Sequence, residues 1–310
     1  GAVGLVVKPF SPLLSGVFHF SQPAGFVFLT RTVIGYPMGA KMDRDLLERG
    51  QISWEEACYL LSICNHPSPM FLIGYTVMEG QKLLPPSIKF PLFPFLAALY
   101  LPVFPISYLA RHYYDKKSKK EQEDSPSVWS GVSHTAPISS FSLDEHLMSC
   151  LETMEKIGLY IMLFSILSLY LFKLPLPGPV ILKPALMGLL EITTGIQTIC
   201  EHTSGLTGLL LVTASVAFGG ISGIFQTRSV LTMHSGRKNA GLSIRHYIFW
   251  KALHSLLSCV FFWILLKTDP FQKFKLLPSF LPEVLPVLPV SCCTRPPDQF
   301  LTGLLVTIVH

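Results

Sequence analysis

The sequence is poor in charged residues. Of its 310 residues, 14% are charged and 50% are hydrophobic, whereas about 25% of an average soluble domain is charged. The mean hydropathy is +0.48, and uncharged runs reach about the 20 residues that a membrane-spanning helix needs. These features exclude a disordered chain and indicate an all-α polytopic membrane protein. The 25 prolines and 22 glycines lie inside apolar runs of helical length, which favours broken helices over a β-barrel.

The usual motifs of soluble catalysis are absent from the sequence. It contains no HExxH pair, P-loop, GxSxG elbow or dinucleotide fingerprint, and its seven cysteines form no CxxC pair. The net charge of +5 is spread over loops rather than gathered into one patch. We therefore expect no enzyme activity, no metal, no cofactor and no nucleic-acid partner.

The chain divides into four segments by composition. Residues 1–110 are predicted to form a first transmembrane repeat, which we expect to lack N-terminal helices. Residues 111–141 form a hydrophilic linker rich in lysine, which predicts a cytoplasmic location. Residues 142–266 are predicted to form a second transmembrane repeat, and residues 267–310 a proline-rich tail.

The two repeats share an order of interruptions. An apolar helix is broken at residues 35–39 in the first repeat and at residues 188–195 in the second. A second break follows at residues 65–69 in the first repeat and at residues 217–223 in the second, at a similar distance along the chain from the first break. A spanning helix follows the second break in each repeat. We predict two inverted structural repeats, each with a broken helix and a re-entrant helical hairpin, the first hairpin covering residues 53–78. Paired interruptions of this kind indicate a transporter site near the bilayer midplane.

The second breaks carry polar groups suited to a ligand. Asn65 is placed to cap the helix that follows it, while Gly219 and Gly220 allow close backbone approach. Ser222 and Gln226 offer polar side chains just beyond them. Two helix N-termini meeting at the midplane would favour an anionic or strongly polar solute. The alternative is two helix kinks that pack against neighbours and bind nothing.

Glu191 is the most informative single residue. A charged side chain at the centre of a membrane helix costs about 2.5–3.5 kcal/mol on insertion scales. Its predicted roles are proton or cation coupling, or a hydrogen bond to substrate, helped by Thr193 and Thr194. The alternative is a structural partner for a basic residue such as Arg31 or Lys183.

Several basic residues lie in or beside the apolar runs. Arg31 and Lys41 flank the first break, where each is placed either to neutralise an anionic solute or to extend to the membrane interface. His246 and His254 lack acidic or cysteine neighbours at ligand spacing. We interpret the two histidines as interface residues rather than as metal ligands.

The motifs in their order resemble one family. The residues that carry the likeness are Ile34-Gly35-Tyr36-Pro37-Met38-Gly39-Ala40-Lys41, Asn65 with Pro69-Met70-Phe71, Leu190-Glu191-Ile192-Thr193-Thr194-Gly195-Ile196, and Phe218-Gly219-Gly220-Ile221-Ser222 with Gln226. Together they are similar to the sporulation integral membrane proteins of the YlbJ family. That resemblance implies the nucleoside-recognition gate fold and a plan like that of concentrative nucleoside transporters.

The resemblance also implies a function. It points to a membrane protein of the mother cell, in the outer forespore membrane, that moves dipicolinic acid toward the spore. Its partners would be a small anionic solute and the lipid bilayer, with a homo-oligomer left open. The alternatives are a non-transporting scaffold for spore envelope assembly and a nucleoside-type permease. The site residues that it implies are Gly35, Pro37, Asn65, Glu191, Thr194, Gly219, Gly220, Ser222 and Gln226.

Overall fold

A computed structural model describes residues 7–63, 66–124, 143–175, 177–231 and 242–268. The described residues up to Lys267 form one compact unit, and within them the regular structure is helical. Asn65, most of the predicted linker and nearly all of the proline-rich tail lie outside the described residues.

The first half contains mostly short helices and ends in one helix of 22 residues. Prolines and glycines divide its apolar sequence, because proline lacks the backbone donor that a helix interior needs. A 3₁₀ turn (Lys8–Phe10) precedes α1. A π-helical segment (Leu72–Thr76) and a 3₁₀ turn (Gln81–Leu83) flank α6. The α-helices are α1 (Ser11–Gly16), α2 (Gln22–Ile34), α3 (Met38–Glu48), α4 (Trp54–Ile63), α5 (Pro69–Phe71), α6 (Val77–Gly80), α7 (Leu92–Tyr100) and α8 (Val103–Asp124).

The second half contains longer helices. Its first helix runs unbroken over 31 residues, because the single glycine within it is tolerated inside a helix. The elements are α9 (Leu143–Lys173), α10 (Leu182–Leu190), α11 (Ile192–His202), α12 (Gly205–Phe218), α13 (Gly220–Leu231) and α14 (Ile244–Lys267).

Four segments are long and apolar enough to cross a membrane. They are Leu92–Tyr114, Leu147–Lys173, Gly205–Leu231 and Ile244–Lys267. The first joins α7 to the start of α8, and α8 then continues to Asp124, so helix extends into the segment predicted as a linker. The third joins α12 and α13 across their break.

The chain reverses direction between α2 and α3. Arg31 and Asp43 would lie about 18 Å apart along a straight helix, yet Arg31 Nη1 is 3.6 Å from Asp43 Oδ2. A carbon added at Gly39 would lie 2.0 Å from Arg31 Cγ. The two helices therefore pack side by side, and only a glycine at position 39 leaves room for the arginine.

A second reversal separates α10 from α11. A carbon added at Gly195 would lie 2.3 Å from the Cα of Gly188, although seven residues of straight helix span about 10 Å. The backbones of α10 and α11 are thus in direct contact, which glycine permits because it has no side chain.

These two reversals change the predicted order of the breaks. We expected the hairpins at residues 53–78 and at the second glycine break. The structure instead folds back at residues 35–37 and at Glu191. The breaks at residues 66–68 and at Gly219 come one helix later. Each half thus shows a fold-back pair, an interrupted helix and a span, in that order.

Candidate functional site

The two interruptions of the first half lie against each other. A carbon added at Gly35 would lie 2.6 Å from the backbone nitrogen of Ser68, and Gly35 has a φ of +81°, which favours glycine. The backbone N–H of Tyr36 donates to the carbonyl of His66 over 3.2 Å. The fold-back turn of α2 and α3 therefore contacts the break that follows α4.

The two interruptions of the second half also meet. Gly219 and Gly220 both have positive φ, at 81° and 70°. A carbon added at Gly220 would lie 3.2 Å from the Leu190 carbonyl oxygen and 3.4 Å from the Ile192 nitrogen. The break between α12 and α13 is thus seated on the fold-back turn at Glu191.

Tyrosine side chains join the two halves. The Tyr36 hydroxyl donates to the Gly219 carbonyl over 3.5 Å, and its ring lies 3.1 Å from where a side-chain carbon of Gly223 would be. The Tyr75 hydroxyl donates to the Thr193 carbonyl over 2.8 Å. All four interruptions therefore form one junction inside the protein.

Glu191 lies between two helices rather than within one. It is 1% exposed and is the N-cap of α11. Its Oε2 accepts the backbone N–H groups of Thr193 and Thr194, each over 2.9 Å, and both threonine hydroxyls. Within the described residues no hydrogen bond reaches its other oxygen, Oε1. The carboxylate thus occupies the positive end of α11, where a negative charge is stabilised.

This geometry corrects two expectations for Glu191. We predicted a break at residues 188–195 near the middle of one helix, and the structure places Glu191 at a reversal of the chain between two helices. We also named Arg31 or Lys183 as a structural partner. Arg31 instead pairs with Asp43, and Lys183 donates to the carbonyl of Phe172.

The predicted cap and polar groups of the second breaks have local partners. Ser68, not Asn65, caps α5, because its hydroxyl accepts the N–H of Phe71. Gln226 Nε2 donates to Ser222 Oγ over 3.0 Å, and both residues are buried. Of the predicted site residues, Gly35, Glu191, Gly219 and Gly220 meet at the junction and Thr194 bonds Glu191, whereas Ser222 and Gln226 pair with each other on α13.

The two basic residues beside the first break are both buried. Arg31 is 3% and Lys41 is 8% exposed, so both side chains are enclosed by protein. Lys41 Nζ donates to the Ser149 carbonyl, the Ser149 hydroxyl and the Thr153 hydroxyl over 2.7–2.9 Å. Lys41 therefore links α3 to α9. The N-cap residue of α3 is Pro37, which lies in the turn between α2 and α3.

Sequence reasoning missed several residues of the junction. Tyr36 lies between Gly35 and Pro37, and its aromatic ring carries the contact between the halves. Lys251 on α14 places Nζ 5.6 Å from the centre of that ring. His254, which we expected at the interface, is 4% exposed and its ring lies 4.6 Å from that of His66. Spacing alone gave no signal for these contacts, which join distant helices.

One cavity among the described residues lies apart from Glu191. It has a volume of about 170 Å³ and is lined by Arg31 and His66 with eight further residues, and none of Glu191, Gly219 and Gly220 is among them. Among the described residues, no three His, Cys, Asp or Glu side chains form a group that could hold a metal ion.

A comparison with known proteins supports the family resemblance. The chain is 25% identical over 307 aligned residues to the sporulation integral membrane protein YlbJ of Bacillus subtilis strain 168, covering 87% of this chain and 71% of that protein. No family model matches the chain, and no solved structure matches it significantly. With its four spanning segments, the chain is an integral membrane protein that is similar to the sporulation protein YlbJ.

Proposed function

We propose that this protein is a sporulation membrane transporter for a small anionic solute. The observation that carries the proposal is the meeting of four chain interruptions at one junction. Interrupted helices leave backbone polar groups that lipid cannot satisfy, so they persist at membrane depth only where protein or an aqueous cavity surrounds them. Such discontinuous helices form the substrate and ion sites of many secondary transporters.

The repeated order of elements supports a transporter plan. A fold-back pair, an interrupted helix and a span occur once in each half, and Tyr36 joins the halves through Gly219. We propose that the halves are inverted repeats and that the fold-back pairs are re-entrant hairpins. Relative motion of the halves would then open the site alternately to the two sides of the membrane.

Buried basic groups near the junction support an anionic solute. Arg31 and Lys251 are each less than 5% exposed, so basic side chains lie inside the protein near the junction. The family relation to a sporulation protein directs the choice toward dipicolinic acid and the outer forespore membrane.

Uptake into proteoliposomes tests the proposal. The purified full chain is reconstituted, and entry of labelled dipicolinate is compared with entry into empty vesicles of the same lipid. We expect uptake above the empty vesicles. Glu191→Gln should lower it strongly at equal protein content, because the neutral amide removes the charge held at the α11 terminus. Glu201→Gln is the matched control, since Glu201 is exposed on the same helix.

The other outcomes separate the alternatives. Uptake of labelled uridine in place of dipicolinate would indicate a nucleoside-type permease. Uptake of neither solute by correctly oriented protein would overturn transport and favour a non-transporting scaffold. Equal activity of Glu191→Gln and Glu201→Gln would remove Glu191 from the transport site.

A further inference from the structure

Two buried acidic side chains of the described residues differ in their ionic surroundings. Asp43 and Glu191 are 0% and 1% exposed. Arg31 Nη1 lies 3.6 Å from Asp43 Oδ2, whereas no lysine, arginine or histidine of the described residues forms an ion pair with Glu191. Acids inside the membrane are costly and commonly belong to ion pathways or proton relays. Glu191 is therefore the buried acid whose charge has no cation to compensate it.

The two oxygens of the Glu191 carboxylate have different partners. Oε2 accepts four hydrogen bonds from Thr193 and Thr194. Oε1 accepts none within the described part of the chain, and the protein does not enclose it completely. A neutral carboxyl group has one O–H donor and keeps its capacity to accept hydrogen bonds. A proton can therefore add to Oε1 while the four hydrogen bonds to Oε2 remain in place.

Few titratable or charged side chains surround Glu191. Tyr36 and Tyr75 interact with it electrostatically, and a phenol is neutral near pH 7. Lys251 of α14 lies over the Tyr36 ring instead. α12 has no charged residue, and residues 157–172 of α9 have none. On the other helices packed against this turn, the charged or titratable groups are Lys183, which donates to Phe172, Glu79, which pairs with Lys82, and the exposed Arg228, Glu201 and His202.

This arrangement conflicts with an anionic solute unless Glu191 is neutral. The first N–H groups of α11 are already bonded to Oε2, so the group that this helix end presents to a solute is Oε1. An ionised Oε1 only accepts hydrogen bonds and repels a second carboxylate. A protonated Oε1 donates to that carboxylate in a charge-assisted hydrogen bond, which is among the stronger kinds.

We propose that Glu191 Oε1 is a proton-binding site that couples the anionic solute to protons. The carboxylate takes one proton from water on the side where the solute enters, and Oε1–H donates to a carboxylate of the solute. When the solute leaves, the proton returns to water on the other side. This inference rests on the proposed transport of an anionic solute, because it names the ion that accompanies that solute.

Calorimetric titration of the full chain in detergent micelles with dipicolinate tests the site without transport. From about pH 6.5 to 8.5 the solute carboxylates stay ionised, since ordinary carboxyl groups titrate near pH 4. We expect the affinity to rise by up to about tenfold for each unit by which the pH falls, which is the limit for one linked proton. Titration in two buffers of different ionisation enthalpy counts the protons, and an uptake of zero over the whole range would overturn the proposal.

The variants locate the proton. Glu191→Gln carries a neutral amide that accepts on one side and donates on the other, so it should bind dipicolinate with an affinity that does not change with pH. Glu201→Gln, at the exposed acid of the same helix, is the matched control and should follow the wild type. Equal pH dependence in folded Glu191→Gln and the wild type would overturn the assignment. The proton count on the wild type remains a test if Glu191→Gln does not fold.

Vesicle assays separate this inference from the proposed function. Exchange of internal for external dipicolinate does not require Glu191 to lose its proton, whereas net uptake does. Glu191→Gln should therefore keep exchange and lose net uptake, and loss of both by a variant that still binds dipicolinate would overturn the coupling role. Proton-linked binding without exchange or uptake by the wild type would support the site and overturn transport. Wild-type uptake with binding that is independent of pH would support transport and overturn the proton site.

Discussion

At both fold-back turns, two consecutive helices pack side by side. The charged groups that stabilise the two turns differ. At the first turn, Arg31 and Asp43 reach across from opposite arms and form a fully buried ion pair. At the second turn, the Glu191 carboxylate accepts four hydrogen bonds from Thr193 and Thr194, its own neighbours in the chain. The first closure is therefore tertiary, and the second is local.

The difference has consequences for binding. The first turn leaves donors of Arg31 and both oxygens of Asp43 without hydrogen bonds, so its stability depends on the attraction between the two charges. The second turn uses its helix N-terminus internally, and any ligand there must compete with Glu191.

Breaking the ion pair of the first turn should have the largest effect. Asp43→Leu leaves the Arg31 charge buried and unpaired, which should lower the free energy of unfolding by about 3–5 kcal/mol. Arg31→Leu/Asp43→Leu removes both charges and should recover most of that loss. Denaturant unfolding in detergent measures both variants, and a double variant no more stable than Asp43→Leu would refute the pairing.

Disturbing the backbone contact at the second turn should have the second-largest effect on stability. Gly195→Ala places a methyl group against the Cα of Gly188, and overpacking of this kind costs about 1–3 kcal/mol. Gly158→Ala is the control, because Gly158 lies in α9 with nothing within 4 Å of an added carbon. Thermal unfolding should show a loss for Gly195→Ala and none for Gly158→Ala. Equal melting temperatures would mean that α10 and α11 are not in backbone contact.

Loss of the cap at Glu191 should have a moderate effect on stability. Glu191→Ala removes the acceptor for the first N–H groups of α11 and should cost about 0.5–2 kcal/mol. Glu191→Asp retains a carboxylate of a type favoured at N-caps and should cost less. Circular dichroism during thermal unfolding measures both, and a larger loss for Glu191→Asp than for Glu191→Ala would contradict the capping role.

The tyrosine links between the halves should give the smallest effects. Tyr75→Phe removes a hydrogen bond of 2.8 Å and should cost about 1 kcal/mol. Tyr36→Phe removes one of 3.5 Å, which is long for a hydrogen bond, and should cost less than about 0.5 kcal/mol. Unfolding free energies of the two variants give the comparison, and the reverse order would show that Tyr36 carries the stronger link.

The positions of the breaks were largely predictable. Gly35 and Gly219 have positive φ, which the sequence signals through a glycine two residues before a proline and through a pair of glycines. The spanning segments were predictable because long uncharged runs need no tertiary information to be recognised. The confirmed membrane location follows from the same features.

The geometry at the breaks was not predictable. A break ends a helix, but the sequence beside it does not say whether the next helix continues onward or folds back. For α10 and α11 that choice depends on the close approach of Gly188 and Gly195, and for α2 and α3 on the pairing of Arg31 with Asp43. Glutamate is also not a preferred N-cap, so Glu191 gave the signal of a mid-helix charge.

The sequence by itself determined that this chain is helical, lies in a membrane and is interrupted at paired places, because hydropathy, proline and glycine act on the backbone locally. Only the tertiary structure decided which interruptions reverse the chain, which acid pairs with Arg31 and where the cavity lies. Those outcomes depend on contacts between different helices. A charge or a hydrogen-bond donor affects stability strongly only when it is buried, and it becomes buried only once the helices have packed.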